Sequence, residues 1–150
     1  MSTTAFALIA DALALLAAQA APTALVRTNP TRATARTEAL GIDVRQGDTQ
    51  QTATYGACTR EWRTVYELEF SGRGAAQGDP AQAIDGALAA VFAAAQAADL
   101  RSLGVHSLDA EPQIAWLFEP ADTPIAQATL RLTAQHHTAY ANLTPSPISE

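Results

Sequence analysis

The chain has 150 residues, a single cysteine and a formal net charge of −6 at pH 7. This length corresponds to about one ordinary domain with one buried core. The negative charge argues against a general nucleic-acid binder, because contacts to phosphate require a basic surface. The lone cysteine, Cys58, excludes an intrachain disulfide and therefore a scaffold held together by disulfides.

The first segment of the chain has the pattern of an amphipathic helix. A hydroxyl residue at position 2, 3 or 4 is available as its cap, and apolar residues recur three or four positions apart at Phe6, Ile9, Leu13 and Leu16. No basic residue precedes this run and Asp11 interrupts it, which favours a cytoplasmic protein over an exported one cleaved after Ala20. No uncharged apolar stretch of about 20 residues occurs, so we expect no membrane span.

Two strands and a long polar loop are predicted after this helix. Residues 24–28 are a candidate for a short strand, and residues 40–46 alternate between apolar and polar side chains. Residues 46–60 hold almost no side chain that could anchor a core, which predicts a long loop, and loops of this length are often functional. We therefore expect a contact loop whose contacting residues are Asp48, Thr49, Gln50, Gln51 and Tyr55.

The next two elements carry the clearest patterns in the chain. Residues 61–70 alternate, with Val65 among the charged residues of one face, which predicts a strand whose buried face consists of Trp62, Thr64, Tyr66, Leu68 and Phe70. After a glycine-rich turn, Asp79 is a candidate N-cap and Pro80 is suited to the first helical position. The second helix is expected to end near Asp99 and to bury a stripe of Ile84, Leu88, Val91, Phe92 and Ala95.

Two further strands are predicted in the last third of the chain. Residues 125–140 form a long final strand, and residues 112–119 form a strand whose apolar face consists of Ile114, Trp116 and Phe118. Residues 141–150 contain two prolines and are expected to form a flexible C-terminal tail. Together these elements predict a single α+β domain over residues 1–140, with a mostly antiparallel sheet of four to five strands and the two main helices packed on one face.

The adjacent histidines His136 and His137 raise the question of a metal or catalytic site. Neighbouring side chains on a strand point to opposite faces, so these two cannot bind one ion together. Zinc requires three or four ligands, and His106, the remaining histidine, is expected in the connection after the second helix. Glu67 and Glu69 share a strand face, but nothing in the sequence points to a substrate pocket beside them. We therefore expect no catalytic residue, no cofactor and no metal site.

Six segments, taken in order, carry a resemblance to a known family. They are DALALLAAQA, ALVRTNPTR, ALGIDVRQGD, WRTVYELEF, AIDGALAAVFAAA and PIAQATLRLTAQHHTAY. Over nearly its whole length the chain resembles the small tail terminator, or tail completion, proteins of long-tailed bacteriophages and prophages, including the minor tail protein U type. The resemblance implies a structural protein rather than an enzyme, assembled in the cytoplasm of the bacterial host and incorporated into the virion tail.

The resemblance also implies a set of partners. Copies of the chain would form a homo-hexameric ring at the head-proximal end of the tail tube. This ring would stop polymerisation of the tube protein and join the tail to the head–tail connector protein. Specific nucleic-acid recognition and membrane association are not implied.

The distribution of charge indicates how such a ring could hold together. Residues 27–73 hold seven arginines against six acidic residues, whereas residues 74–150 hold two arginines against eight. Because a ring joins two different patches of neighbouring subunits, we expect basic side chains of one subunit to face acids of the next. The residues assigned to this interface are Arg27, Arg32, Arg36 and Arg45 on the basic side and Asp99, Asp109 and Glu111 on the acidic side. Solvated surface arginines are the alternative, since exposed ion pairs stabilise by only about 0–1 kcal/mol.

A different class of function stays open beside the ring. A small-molecule-binding or catalytic α+β domain of bacterial origin would require a concave pocket with convergent polar groups. The glycine-rich turn before the second helix lacks the Gly-Lys-Ser/Thr ending of a phosphate-binding loop, and a turn followed by a helix cap explains it.

Overall fold

Two α-helices and six β-strands are found in the described part of the chain. The structure is a computed structural model that describes residues 3–32, 39–56, 58–74, 79–120 and 124–148. The helices are α1 (Ala5–Ala20) and α2 (Pro80–Ala97), with a short 3₁₀ helix at Arg101–Leu103. The strands are β1 (Leu25–Thr28), β2 (Leu40–Tyr55), β3 (Thr59–Arg73), β4 (Val105–Ala110), β5 (Ala115–Glu119) and β6 (Ile125–Ala139). The predicted α+β class is confirmed, and neither helix is long and apolar enough to span a membrane.

The six strands form one sheet in the order β1, β2, β3, β6, after which β4 and β5 both pair with the far side of β6. β5 pairs with residues 125–129 of β6, and β4 pairs with residues 132–136. All pairs are antiparallel except β1 with β2, which run parallel. The predicted mostly antiparallel sheet is confirmed, but it has six strands rather than four or five, because β4 and β5 share one side of β6.

The pairing of β3 with β6 forms the centre of the sheet. It runs without a register shift from Thr59 opposite Ala139 to Arg73 opposite Ile125. Alternate residues are buried along all of β6 and from Thr64 to Gly72 of β3, where Val65 of the other face is buried as well. On β3 they include four of the five side chains predicted to face the core, which are Thr64, Tyr66, Leu68 and Phe70. The fifth, Trp62, is partly buried.

Side chains of α1 belong to the same buried cluster as the sheet. The helix begins at Thr4, whose hydroxyl group accepts a hydrogen bond from a backbone N–H of the first turn. Ile9 and Leu13 are fully buried. The hydroxyl group of Tyr66 on β3 donates to the carbonyl oxygen of Phe6 at 2.8 Å, and burial raises the pKa of this tyrosine. This hydrogen bond ties the start of α1 to the centre of the sheet.

The second helix, α2, begins where the sequence predicts. The carboxylate of Asp79 accepts a hydrogen bond from the N–H of Ala81 at 2.9 Å, and Pro80 occupies the first helical position. Four residues of the predicted stripe are buried, namely Ile84, Leu88, Val91 and Ala95. The predicted burial of Phe92 is wrong, since this side chain is 37 % exposed. It follows Val91 and therefore points about 100° away from it around the helix.

Residues 46–55, which the sequence predicts as part of a loop, form the second half of β2. They pair with β3 as far as Tyr55 opposite Thr59, with register shifts after Gln46 and after Gln51. Their side chains are mostly exposed, and the sequence therefore lacks the alternation of apolar and polar residues that predicts a strand. The strand forms because the backbone of β3 pairs with the backbone of these residues. The prediction that these residues form a loop is therefore wrong, because they belong to β2. The five predicted contact residues lie in this strand: Asp48, Thr49, Gln50, Gln51 and Tyr55.

The C-terminal segment lies against the domain as far as Ile148. The N–H groups of Ser146 and Ile148 donate to the carbonyl groups of His137 and Arg101, at 3.1 and 2.9 Å. The flexibility expected for residues 141–150 stays a prediction, and residues 149–150 lie outside the described residues. The described part of this segment docks on the domain because its backbone finds partners on β6 and in the 3₁₀ helix.

Gly72 of β3 allows α2 to approach the sheet closely. A Cβ atom at this position would lie 2.8 Å from Ile84 Cγ1 and 3.0 Å from the carbonyl oxygen of Pro80.

Gly72→Ala is therefore expected to lower the free energy of unfolding by roughly 1–3 kcal/mol, measured by urea denaturation. Gly86→Ala within α2 is the control, because its Cβ would meet nothing within 4 Å. It should stabilise the helix by up to about 1 kcal/mol. Equal stability of both variants would contradict this packing.

Candidate functional site

The face of the sheet opposite the buried cluster carries a layer of charged and polar side chains. Arg45 of β2 donates a hydrogen bond to Glu69 of β3 at 3.2 Å, and Arg131 of β6 lies 3.6 Å from Glu67 of β3. The two carboxylates that share this strand face therefore each lie beside an arginine of a neighbouring strand. Exposed cross-strand pairs of this kind contribute about 0–1 kcal/mol each.

Two of the arginines assigned to the subunit interface bind a carboxylate of their own chain. Asp43 is 4 % exposed and accepts hydrogen bonds from Nε and Nη2 of Arg27, both at 2.9 Å. Arg45 lies 3.5 Å from the same carboxylate. Because Arg27 is the register partner of Asp43, these contacts tie β1 to β2. Arg36 lies outside the described residues.

The remaining residues assigned to the interface lie at different places around the sheet. Arg32 follows β1 and is exposed. Asp109 lies on β4 and Glu111 directly after it, which places both acids on the side of the sheet opposite β1. Asp99 lies after α2, where hydrogen bonds from the side chain and the backbone N–H of Arg101 lower the pKa of its carboxyl group to about 2.

Three side chains of metal-ligand type come together on the outer face of the sheet: Glu61, His106 and His137. Glu61 of β3 is the register partner of His137 of β6, so both side chains project from the same face. Glu61 Oε1 lies 2.8 Å from Nε2 of His106 and 3.7 Å from Nε2 of His137. The sequence pattern predicts His106 in a connection, whereas it lies on β4, and for this reason the cluster is not predicted from the sequence.

A β-bulge directs His106 toward this cluster. The register of β4 against β6 shifts between Val105 and Ser107, so that His106 is an extra residue in β4. Gly104 precedes the bulge with a φ of 82°, and a Cβ atom there would lie 2.5 Å from the carbonyl oxygen of His137. A glycine is therefore required for β4 to begin beside His137.

Hydrogen bonds hold the Glu61 carboxylate in place. Its second oxygen, Oε2, lies 3.2 Å from the hydroxyl group of Thr52 and 3.3 Å from that of Tyr55, both on β2. Burial acts to raise the pKa of Glu61, but the hydrogen bond from His106 opposes it. Together with the hydroxyl groups and the charge of His106, this bond keeps the pKa of Glu61 below its ordinary value. The carboxylate is thus ionised and oriented, with Oε1 facing the histidines.

His136 points away from this cluster, into the core. It is fully buried, and its Nε2 lies 2.8 Å from the hydroxyl oxygen of Thr64. Burial is the main reason why the pKa of His136 falls to about 4, and the charges of His137 and His106 lower it further. His136 and His137 therefore lie on opposite faces, as the strand period predicts.

A second surface of interest is β5, at one edge of the sheet. Trp116, Leu117 and Phe118 are 42, 62 and 55 % exposed. The rings of Trp116 and Phe118 stack with their centroids 6.0 Å apart. The predicted strand is confirmed, but of its predicted apolar face only Ile114, just before the strand, packs against the core. Within the described chain β5 pairs with β6 alone, so its other edge faces outward.

Two comparisons with known proteins were negative. The sequence matches no protein-family profile and no curated protein. Three surfaces of the described chain are therefore candidates for a function: the charged outer face, the cluster of Glu61 with two histidines, and the apolar edge strand β5.

The buried imidazole of His136 makes stability depend on pH in a defined range. Its pKa is about 4 in the folded protein, below the value of 6.5 for a free side chain. The unfolded chain therefore binds the proton first, so the contribution of His136 to stability is constant above pH 6.5 and is lost between pH 6.5 and 4. The loss expected from this residue is about 3 kcal/mol.

Urea denaturation of the wild type and of His136→Gln across this pH range, in the presence of a chelator, measures the effect. The free energies of unfolding of the two proteins should converge as the pH falls from 6.5 to 4, because the variant lacks the titrating group. A constant difference between them at every pH would show that His136 does not titrate in this range.

Proposed function

We propose that the protein is a structural subunit of a phage or prophage tail, a tail terminator whose copies form a six-membered ring. The ring would cap the head-proximal end of the tail tube, stop its polymerisation and join the tail to the head connector. Assembly would take place in the cytoplasm of the bacterial host, and the protein would then remain in the virion tail. The observation that carries the proposal is the exposed apolar edge strand β5, which offers a surface for self-association.

An edge strand such as β5 requires an explanation. Unpaired strand edges promote association, and natural proteins usually protect them with charged residues, prolines or covering elements. Here three large apolar side chains, Trp116, Leu117 and Phe118, are exposed over five residues of the strand. Trp116 and Phe118 lie on one face of the strand and Leu117 on the other, and large exposed apolar side chains at an edge strand mark a candidate interaction site. A partner that covers β5 would bury these side chains and pair with its outward edge.

The partner that we propose for β5 is a second copy of this chain, which would pair its strand β1 with β5 of the first copy. Strand β1 lies at the opposite end of the strand order and has four residues, against five in β5. Leu25 of β1 is 40 % exposed, so apolar surface is present at this edge too. Pairing of β5 with β1 of the next copy is a contact between two different patches, which closes into a ring when the rotation between copies permits.

The charges at the two edges support this orientation. Arg32 follows β1, whereas Asp109 and Glu111 lie on or just after β4, which shares the side of β6 occupied by β5. Edge-to-edge assembly would bring the basic end of one subunit near the acidic end of its neighbour. Arg27 and Arg45 bind Asp43 within the subunit, so we assign them to the support of β1.

A second candidate function is a small-molecule-binding domain. The observation that favours it is a depression of about 280 Å³ on the outer face, lined by Asp48, Gln50, Arg63, Val65, Glu111 and Arg131. Convergent polar groups of this kind can orient a ligand. A gene position between head–tail joining genes and the tube gene would favour the terminator, and a chain that is monomeric at all concentrations would favour the binding domain.

Leu117→Arg tests the proposed edge contact. A charged side chain on β5 should raise the dissociation constant of self-association by at least about tenfold, because it introduces a charge into an apolar contact. Sedimentation velocity over a range of concentrations measures the change. Leu15→Arg on α1 is a matched control, because Leu15 is 61 % exposed and Leu117 is 62 % exposed. Loss of association in both variants, or in neither, would contradict a role for β5.

The β2–β3 hairpin is the proposed contact with the tube, through the exposed residues of β2 that include Asp48, Gln50 and Tyr55. The exposed Cys58 in the connection between the strands provides a natural reporter. A thiol-directed photo-cross-linker on Cys58 is expected to form adducts with the tube protein when tails are assembled in vitro. Adducts with the connector protein alone would assign the hairpin to the opposite side of the ring.

A further inference from the structure

We propose that Glu61, His106 and His137 bind one divalent transition-metal ion of the zinc type. The site is formed within a single chain by β3, β4 and β6. It is independent of the proposed ring, because none of its residues belongs to β1 or β5. Its ligands are one carboxylate oxygen and two imidazole nitrogens.

The separations between the ligand atoms match those of a small coordination shell. With bonds of about 2.0–2.2 Å in a tetrahedral zinc site, neighbouring ligand atoms lie about 3.3 Å apart. Glu61 Oε1 lies 2.8 Å from His106 Nε2 and 3.7 Å from His137 Nε2, on either side of this value. All three ligand atoms lie within 4.8 Å of one another. Small side-chain rotations are therefore enough to place them around one ion.

The chemistry of the ligands selects the class of ion. Imidazole nitrogen suits zinc, nickel, copper and ferrous iron, and two imidazoles with one carboxylate form a common zinc ligand set. Magnesium and calcium prefer shells made of oxygen atoms. The site is therefore expected to favour Zn²⁺ or Co²⁺ over Mg²⁺.

The ligands are held by backbone pairing and by neighbouring side chains. Glu61 and His137 are opposite each other in the longest uninterrupted ladder of the sheet, and the bulge in β4 brings His106 beside them. Thr52 and Tyr55 bind Oε2 of Glu61, which leaves Oε1 directed at the imidazoles. Such supporting hydrogen bonds are typical of metal sites, where they fix the orientation of a ligand.

An ion at this position would remain accessible from solvent. The side chains of Glu61, His137 and His106 are 15, 24 and 35 % exposed. Three protein ligands leave at least one coordination position for water. A hydrogen bond between His106 and Glu61 without any metal is the competing explanation for the same geometry, and metal titration distinguishes the two.

The test uses the full chain without an affinity tag, stripped of metal with a chelator that is then removed. Isothermal titration with ZnCl₂ is expected to give one ion per chain, and Co²⁺ should give visible absorption bands of low coordination number. Because the ion binds the folded state, Zn²⁺ at about 100 times the dissociation constant should raise Tm by about 5–10 °C. His106→Gln and Glu61→Gln should each weaken binding by at least about tenfold.

Two control variants give the experiment its specificity. Glu67→Gln removes a carboxylate from the same face of the same strand and should leave the dissociation constant unchanged. Cys58→Ser excludes coordination by the exposed thiol. Circular dichroism checks that each variant is folded, and the two ligand variants lie on different strands, so that misfolding of one leaves the other informative. The proposal would be overturned if the wild type does not bind Zn²⁺ at a concentration on the order of 100 µM, which is sufficient to detect a weak site. It would also be overturned if both ligand variants bind Zn²⁺ as tightly as the wild type.

Discussion

The antiparallel pairing of β3 with β6 is the interaction on which the rest of the molecule depends. Over this ladder, from Thr59 opposite Ala139 to Arg73 opposite Ile125, the register never shifts. Because side chains of a strand alternate between faces, one register decides which side chains enter the core and which face outward. A slip by one residue would expose Tyr66 and bury the charge of Glu67. The helices, the other strands and the cluster with the histidines all depend on this alternation.

The sequence is enough to predict those helices and strands in which apolar and polar side chains alternate with the period of the element. The alternation of residues 61–70 and the cap at Asp79 predict β3 and the start of α2, and both agree with the structure. Residues 46–55 have no such pattern, since their strand depends on backbone pairing with β3 rather than on burial. Local pattern also cannot reveal that β5 is left exposed, because exposure depends on which elements lie above it.

The candidate metal cluster could not be predicted for a related reason. Its ligands come from three strands, with His106 separated from Glu61 by 45 positions in the sequence. The strand order and the bulge in β4 bring them together, and neither is visible in the sequence. The strand period alone correctly separates His136 from His137, but it gives no information about which residues of other strands lie beside them. The charge distribution is informative in a coarser way, since the near-neutral segment 27–73 supplies β1, β2 and β3 and the acidic segment 74–150 supplies β4, β5 and β6.

Among the described residues, β1 at one end of the sheet and β5 at the other each pair with a single strand, and this is the basis of the proposed function. Joining β5 of one copy to β1 of the next would satisfy both edges together and leave the outer face available. Native mass spectrometry of the wild-type chain over a range of concentrations, with negative-stain images of any large species, tests this most directly. A closed ring of six copies is the expected result. A chain that stays monomeric, or that stops at a symmetric dimer, at every concentration would contradict it.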